Sequence, residues 1–457
     1  MPGDALAEET RATLRLAWPI VLTNLTQFAL TLTDVLFLGR LGTEALAGAT
    51  LGANLYWALL APVFGLALAA APLCAQTRGR GRGFVRGMRR DLRAAVWAAA
   101  FGVLPVWAVL SQAEGILLAL GQEPALARMA ADYIHALMWG MLPFCAFVAL
   151  RGFIEAHARP IPALLVATGG IALNVPLNAL LIHGWGMVPP LGVVGAGLAS
   201  TLCNIAMLIG LVAVVSLERR LRRLRPFGRL WRFDGARLRE VAAVGLPIAG
   251  SMMLEIGVFS ASALAMGWLG AVAVAAHAIV VQVASLTYMV PMGIGQAATA
   301  RVGVATGAGR PRDAGRAGWL AVAIGAAFMV ASGAVLLSIP GAIAWLFLDP
   351  ANPGAAETAA LAATLLMLAG VFQLADGVQS VAGGALRGLK DTRVPMGLAA
   401  LGYWGVGLPL GLALAFPAGV GPAGIWAGLA AGLFLVAALM LRRWAALSGG
   451  LRRPAIG

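Results

Sequence analysis

The sequence predicts an all-α integral membrane protein whose twelve transmembrane helices form two six-helix bundles, related by a pseudo-two-fold axis along the membrane normal. Three observations support this prediction. The chain of 457 residues is 60% hydrophobic and only 11% charged, which leaves too little polar surface for a dissolved globular protein. Its apolar residues form twelve stretches long enough to cross a bilayer. The second half of the chain repeats features of the first half.

The apolar stretches define the elements in chain order. The first residues contain Glu8 and Glu9 but no short apolar core followed by a small-residue cleavage site. We therefore expect the first span to be retained rather than removed as a signal peptide. The predicted spans are 14–38, 45–75, 94–113, 133–153, 161–182, 193–217, 241–269, 272–298, 317–339, 359–386, 396–416 and 424–441.

The basic residues predict the orientation of these spans. Of 33 lysines and arginines, only Arg40 and Arg128 lie in loops that follow odd-numbered spans. The positive-inside rule therefore places both termini in the cytoplasm. The same distribution explains the net charge of +14 without a nucleic-acid partner, because the chain offers no soluble domain to carry one.

An internal repeat divides the chain. A shift of 228 residues aligns Trp18-Pro19-Ile20 with Leu246-Pro247-Ile248, and a shift of 236 aligns Ala149-Leu150-Arg151-Gly152 with Ala385-Leu386-Arg387-Gly388. Six spans per half give both halves the same orientation, which is a parallel repeat. We predict an N-terminal six-helix bundle at 1–217, a cytoplasmic basic linker at 218–240, and a C-terminal six-helix bundle with a short cytoplasmic tail at 241–457. The nine arginines of the linker predict contact with anionic lipid headgroups.

Three acids lie inside otherwise apolar spans: Asp34, Glu255 and Asp376. An acid near the centre of a spanning helix costs roughly 2.5–3.5 kcal/mol on insertion scales, so such acids usually mark ion sites or proton relays. The alternative interpretation is an interhelical hydrogen bond that only packs the bundle. The three acids together favour a cation-coupled transporter.

Polar residues of other spans are candidate partners for these acids. Asn174 and Asn178 share one helix face because they are four residues apart, with Pro176 between them, and the sixth span contains Ser200 and Thr201. Their amide and hydroxyl groups with Asp34 predict either a site for a hard cation such as Na+ or a network around a protonatable acid. Glu255 and Asp376 are the deep acids of the second half and, if adjacent, would share one cation or one proton.

The chain resembles the multidrug and toxic compound extrusion (MATE) family in its bacterial NorM-like branch, over essentially all twelve spans. The resemblance implies two six-helix bundles around a central cavity, in a monomeric protein of the bacterial inner membrane. It also implies export of organic, often cationic, drugs in exchange for Na+ or H+, without a cofactor. Asp34, Asn174, Asn178 and Thr201 match the first cation site of the family, and Glu255 and Asp376 match its second-half pair. Phe372 departs from the pattern, since relatives can carry tyrosine there. The motifs that carry the resemblance are LAWPIVLTNLTQFALTLTDVLFLG, LRGFIEAHARPIPALLV, LNVPLN, GLPIAGSMMLEIGVFS, VPMGIGQAATARVG and ADGVQSVAGGALRGLKDTRVP.

Other residues are candidates for the substrate cavity, and other functions remain as alternatives. The repeat aligns Gln27 with Glu255 and Asn54 with Gln282, so these polar groups line a cavity or meet other polar groups. Phe259, Tyr288 and Met292 can line the same cavity or form core. A lipid-linked sugar flippase of a related superfamily is the closest rival function. An intramembrane enzyme is disfavoured by the absence of an HExxH motif and of a Ser/His pairing.

Overall fold

Within the part of the chain that the computed structural model describes, twelve helices are long and apolar enough to cross a membrane, in agreement with the predicted number. The structure describes residues 3–81, 83–184, 189–224 and 226–450, and no β-strand occurs in these ranges. The predicted tail after residue 450 lies outside the described residues. The helices are α1 (Ala7–Leu41), α2 (Thr43–Gly79), α3 (Phe84–Leu110), α4 (Pro124–Ala156), α5 (Ile161–His183), α6 (Gly192–Leu217), α7 (Gly235–Leu269), α8 (Ala271–Gly307), α9 (Pro311–Ser338), α10 (Ala355–Gly388), α11 (Arg393–Ala415) and α12 (Pro422–Gly449).

Several helices extend beyond their apolar stretches. α3 begins ten residues before the predicted span, and α4 begins nine residues before. The extensions contain Arg86, Arg90 and Arg128, which hydropathy excludes from a span although they suit a helix well. Large apolar side chains cover the outward faces, such as Leu165 and Leu264, which are 65% and 70% exposed. Exposed apolar surface of this extent is typical of a protein that contacts lipid.

The helices pack into two compact units. One unit contains Met1–Val21 and Gly250–Gly457, and the other contains Leu22–Ala249. The first half of α1 therefore belongs to the unit of the later helices, and the first half of α7 belongs to the unit of the earlier helices. These units are defined by packing, whereas the predicted halves at 1–217 and 241–457 are defined by the repeat and remain a prediction.

Close helix approaches occur at repeat-related positions within the two units. A Cβ on Gly65 of α2 would lie 2.5 Å from the Cβ of Ala249, and a Cβ on Gly293 of α8 would lie 2.6 Å from Val21. Gly65 and Gly293 are 228 residues apart, as are Val21 and Ala249. Glycine is required because only a residue without a side chain permits these backbones to approach so closely. One pair of repeat-related glycines thus makes an equivalent close approach in each unit.

The end of the basic linker is fixed to α3. The carboxylate of Asp234 accepts a hydrogen bond from the backbone N–H of Arg237 (3.3 Å) and caps the N-terminus of α7. The same carboxylate accepts a hydrogen bond from Nε of Arg90 (2.7 Å), and this bond holds the pKa of Asp234 below its ordinary value of 3.8. Arg237 also forms an ion pair with the buried Asp91 (3.1 Å), which accepts a hydrogen bond from Thr77.

Candidate functional site

The first acid cluster surrounds Asp34 of α1. Its Oδ1 accepts hydrogen bonds from Nδ2 of Asn174 (3.0 Å) and of Asn178 (2.6 Å). Its Oδ2 accepts a hydrogen bond from the hydroxyl of Ser200. Asn174 and Asn178 are fully buried, and Asp34 and Ser200 are each 8% exposed. Three neutral groups from α5 and α6 therefore bind one carboxylate deep inside the unit Leu22–Ala249.

The two asparagines of α5 lie on one helix face, as their spacing predicts. The Nδ2 of Asn178 also donates to Oδ1 of Asn174 (3.1 Å), so the two amides are linked along one helix face. The Oδ1 of Asn178 is buried and has no hydrogen-bond partner among the described residues. A buried acceptor without a partner is costly, typically about 1–3 kcal/mol. This oxygen beside a carboxylate is the kind of ligand that Na+ would use.

Thr201 has a different set of contacts from its neighbour Ser200. Its hydroxyl donates to the backbone oxygens of Ala136 (2.7 Å) and Leu137 (3.2 Å), at the place where α4 tightens into a single 3₁₀ turn. Successive residues of a helix point about 100° apart, so the two hydroxyls cannot share one face. The structure brings Ser200, rather than Thr201, to the carboxylate of Asp34.

A second polar group in the same unit centres on Arg151 of α4. Its guanidinium forms an ion pair with Glu155 (3.1 Å) and donates to Oδ1 of Asn24 and Oε1 of Gln27 (3.3 Å each). Arg151 and Glu155 are at most 4% exposed. The positive charge is therefore balanced inside the membrane segment by one acid four residues further along the same helix.

The second acid cluster joins Glu255 of α7 and Asp376 of α10, in the unit that contains Gly250–Gly457. The two carboxyl groups interact electrostatically with each other, and both interact with the phenol of Tyr288. Tyr288 in turn accepts a hydrogen bond from the hydroxyl of Ser380 (3.4 Å). The structure thus brings together the two acids whose adjacency the sequence left open.

Tyr403 of α11 belongs to this cluster although sequence reasoning did not identify it. Its side chain is 1% exposed and interacts electrostatically with Glu255 and Asp376. It lies where α11 widens into a π-helical segment, Ala400–Gly407, a distortion that is frequent at functional sites. No residue pattern in the sequence signals this segment. Arg387 of α10 was likewise missed, and it interacts electrostatically with Glu255 and Tyr288.

The aromatic residues near the second cluster form a packed group. Phe259 meets Phe372 edge to face with ring centroids 6.1 Å apart. Phe372 meets Trp426 edge to face at 5.5 Å and is 1% exposed. Phe372 is therefore packed between two rings, and the phenols near the acids come from Tyr288 and Tyr403.

The remaining cavity candidates differ in exposure. Asn54 is exposed, and Gln282 and Met292 are half-buried. Among the described residues, no hydrogen bond or ring contact connects these three side chains with an acid. Gln27 is different, because it contacts Arg151. The described residues also contain no group of three or more His, Cys, Asp or Glu side chains that could hold a metal ion.

Comparisons with known proteins identify close relatives. The MatE family model matches residues 19–180 and 247–413. A protein of Mesorhizobium japonicum described as a probable multidrug resistance protein NorM is 49% identical over 443 residues, which are 97% of this chain and 95% of that protein. A protein of Brucella suis with the same description is 46% identical over 431 residues, which are 94% and 92% of the two chains.

Solved structures share the fold. The eukaryotic MATE transporter AtDTX14 has a TM-score of 0.86 at 20% identity, over 98% of this chain and 99% of that chain. An outward-facing multidrug resistance MATE family transporter of the MOP superfamily has a TM-score of 0.85 at 18% identity, over 99% of both chains. The family model and the near-full-length relatives show that this chain belongs to the MATE family, as a NorM-like member.

Proposed function

We propose that this protein is a multidrug efflux antiporter, which exports small organic and often cationic compounds in exchange for Na+ or H+ by alternating access. The export of drugs is supported by the relatives, which are described as probable multidrug resistance proteins. The coupling to a cation is supported by the acids themselves.

The observation that carries the coupling proposal is that Asp34, Glu255 and Asp376 have no ion-pair partner within 4 Å among the described residues. A buried carboxylate without an opposite charge beside it costs several kcal/mol. Packing alone does not require it, since the chain has the neutral amide of Gln27 where the repeat has Glu255. A proton or a metal cation that binds and leaves would supply the missing positive charge.

At the first cluster both ions are chemically reasonable. Na+ would be held by the carboxylate of Asp34 and by the unpaired Oδ1 of Asn178, with Oδ1 of Asn174 beside them. A proton would instead neutralise Asp34, whose hydrogen bonds all come from neutral groups. The donor set therefore suits Na+ or H+, and experiment must choose between them.

At the second cluster the two acids would act together. Electrostatic repulsion disfavours two adjacent charged carboxylates, so Glu255 and Asp376 would share one cation or one proton. A site that holds the cation in one conformation and releases it in the other supplies the difference in affinity that coupling requires.

The energy of one cation is of the right size. Holding a neutral drug at a hundredfold gradient costs about 2.8 kcal/mol. One positive charge moving inward across about 100 mV supplies roughly 2.3 kcal/mol. A single coupled cation with a modest concentration gradient is therefore sufficient for a neutral drug, whereas a cationic drug would need a second ion. The two acid clusters could accommodate two ions.

Efflux from proteoliposomes tests this proposal. The purified protein is reconstituted with ethidium as the probe, and a Na+ gradient and a pH gradient are imposed separately. We expect one of the gradients to drive ethidium transport, and we expect Asp34→Asn and Asp376→Asn to remove the dependence on it. Asp313→Asn is the matched control, because Asp313 forms an exposed ion pair with Arg310 far along the chain from both clusters. Transport that ignores both gradients, or Asp34→Asn transport at the wild-type rate, would refute the coupling proposal.

The flippase alternative does not require these acids to bind and release a cation. Moving a lipid-linked sugar down its own gradient needs no exchangeable cation, so three acids without ion-pair partners would have no purpose. Their arrangement favours the antiporter.

A further inference from the structure

Arg387 lies on the same face of α10 as Asp376. The two residues are eleven positions apart, which is close to three full helical turns. Side chains of a helix lean toward its N-terminus, and Nε of Arg387 follows this direction because it donates to the backbone oxygen of Gly383 (3.3 Å). The guanidinium is therefore directed back along α10 toward the acids, and it interacts electrostatically with Glu255.

The repeat offers an internal comparison for this arginine. Arg387 corresponds to Arg151, and Glu255 corresponds to Gln27. In the first half, Arg151 donates to Gln27 at 3.3 Å, which shows that the arginine of this position reaches the residue of the first helix. The second half keeps the arginine and replaces the neutral glutamine with an acid.

The acid that forms an ion pair with the arginine in the first half has a counterpart in the second half that pairs with a different arginine. Arg151 forms an ion pair with Glu155 at 3.1 Å. The residue that corresponds to Glu155 is Asp391, which lies beyond the end of α10 and pairs with Arg443 at 2.9 Å. Among the described residues, no ion pair within 4 Å involves Arg387. Its positive charge therefore has no fixed acid, and the acid with which it interacts is Glu255 of the second cluster.

We propose that Arg387 is a tethered counter-cation of the Glu255–Asp376 site, which balances Glu255 after the coupling cation has left and moves aside when the cation binds. The inference rests on the proposed cation coupling. A site with two acids and no such competitor would hold the cation too tightly to release it. A positive charge fixed to α10 lowers the affinity and stabilises the empty site, so that each transport cycle can be completed.

Cation binding to the purified full-length protein tests this role. We expect Arg387→Gln to raise the affinity for Na+, measured with radioactive Na+ at constant ionic strength, by about tenfold, and to slow ethidium efflux. Arg387→Lys keeps the charge and should stay within about threefold of the wild type. Arg310→Gln is the matched control at an exposed ion pair (Arg310 is 62% exposed). A gain in affinity separates this role from a structural one, because structural damage weakens binding.

The outcomes distinguish this inference from the proposed function. If the wild type binds no Na+, proton uptake in unbuffered solution replaces the Na+ measurement. A wild type that binds neither ion would refute the proposed function itself. A wild type that binds its ion while Arg387→Gln leaves the affinity unchanged or weaker would refute only the role of Arg387.

A second variant decides the question if Arg387→Gln does not accumulate. The double change Glu255→Gln with Arg387→Gln removes both charges together, so neither side chain is left with an uncompensated charge. We expect the double variant to bind the cation more tightly than Glu255→Gln alone, because the positive charge beside the site is gone. No gain in the double variant would overturn the inference.

Discussion

Replacing Asp34 separates the charge of the carboxylate from its hydrogen bonds. In Asp34→Asn, the remaining oxygen can still accept from Asn174 (3.0 Å) and Asn178 (2.6 Å). The new amide nitrogen can donate to the hydroxyl of Ser200, since a hydroxyl both donates and accepts. All three contacts survive, so we expect a change in the free energy of unfolding of less than about 1 kcal/mol. The charge and the exchangeable proton are lost, so coupled efflux should cease.

Asp34→Ala keeps neither the charge nor the acceptors. Nδ2 of Asn178 retains its bond to Oδ1 of Asn174, and the hydroxyl of Ser200 can turn to a backbone oxygen of its own helix. Nδ2 of Asn174 then loses its carboxylate acceptor inside the unit, which costs about 1–3 kcal/mol. We therefore expect both variants to lose coupled efflux, but only Asp34→Ala to lose stability.

Thermal unfolding in detergent, monitored by size-exclusion chromatography, measures the stability of both variants, and ethidium efflux from proteoliposomes measures their activity. The reasoning predicts a melting temperature near that of the wild type for Asp34→Asn and a lower one for Asp34→Ala. Equal destabilisation of the two variants would show that the charge itself holds α1, α5 and α6 together. Coupled efflux by a stable Asp34→Asn protein would show that Asp34 only packs the bundle.

Four further predictions follow from the contacts of single residues. Thr201→Val should lower the free energy of unfolding by about 0.5–1.5 kcal/mol, because the hydroxyl donates to backbone oxygens. The same variant should leave the cation affinity unchanged in a binding assay, and a large loss of affinity would contradict this. Arg237→Gln should lower the melting temperature and the free energy of unfolding, the latter by about 1–3 kcal/mol, because it removes a cation that lies 3.1 Å from the buried carboxylate of Asp91 in α3. Gly428→Ala should prevent accumulation of folded protein, since its Cβ would overlap the backbone of α11, whereas Gly267→Ala faces open space and should accumulate normally. Asp234→Asn should lower the melting temperature at pH 7. Because the folded-state pKa of Asp234 is depressed, the stability that it contributes is present above pH 3.8 and is lost as the pH falls through the folded-state value. A difference in melting temperature between variant and wild type that does not shrink toward pH 3 would contradict this role of Asp234.

Hydropathy was sufficient for the number and order of the helices, because a bilayer requires about 20 apolar residues for each crossing. It was insufficient for the helix ends. The start of α3 contains Arg86 and Arg90, and the start of α4 contains Arg128. A helix continues wherever its backbone hydrogen bonds continue, whereas an apolar stretch reports only the residues that face lipid or core.

The first acid cluster was largely predictable because helix periodicity places Asn174 and Asn178 on one face. The choice between Ser200 and Thr201 was not predictable, since it depends on the rotation of α6, which tertiary packing determines. Tyr403 could not be found from the sequence, because a π-helical segment changes the register of the residues around it. Arg387 had a detectable signal in its alignment with Arg151, but the lost pairing with an acid is visible only in the ion pair of Asp391 with Arg443.

The central claim is that drug and cation move in opposite directions through one obligatory cycle. The most direct measurement is cation movement driven by the drug alone, in proteoliposomes that contain equal Na+ and equal pH on both sides. We predict that an ethidium gradient drives Na+ or H+ across the membrane against the direction of the drug in the wild type, and that Asp34→Asn shows no such movement. Ethidium that crosses through the wild-type protein without any opposite flow of Na+ or H+ would contradict the account.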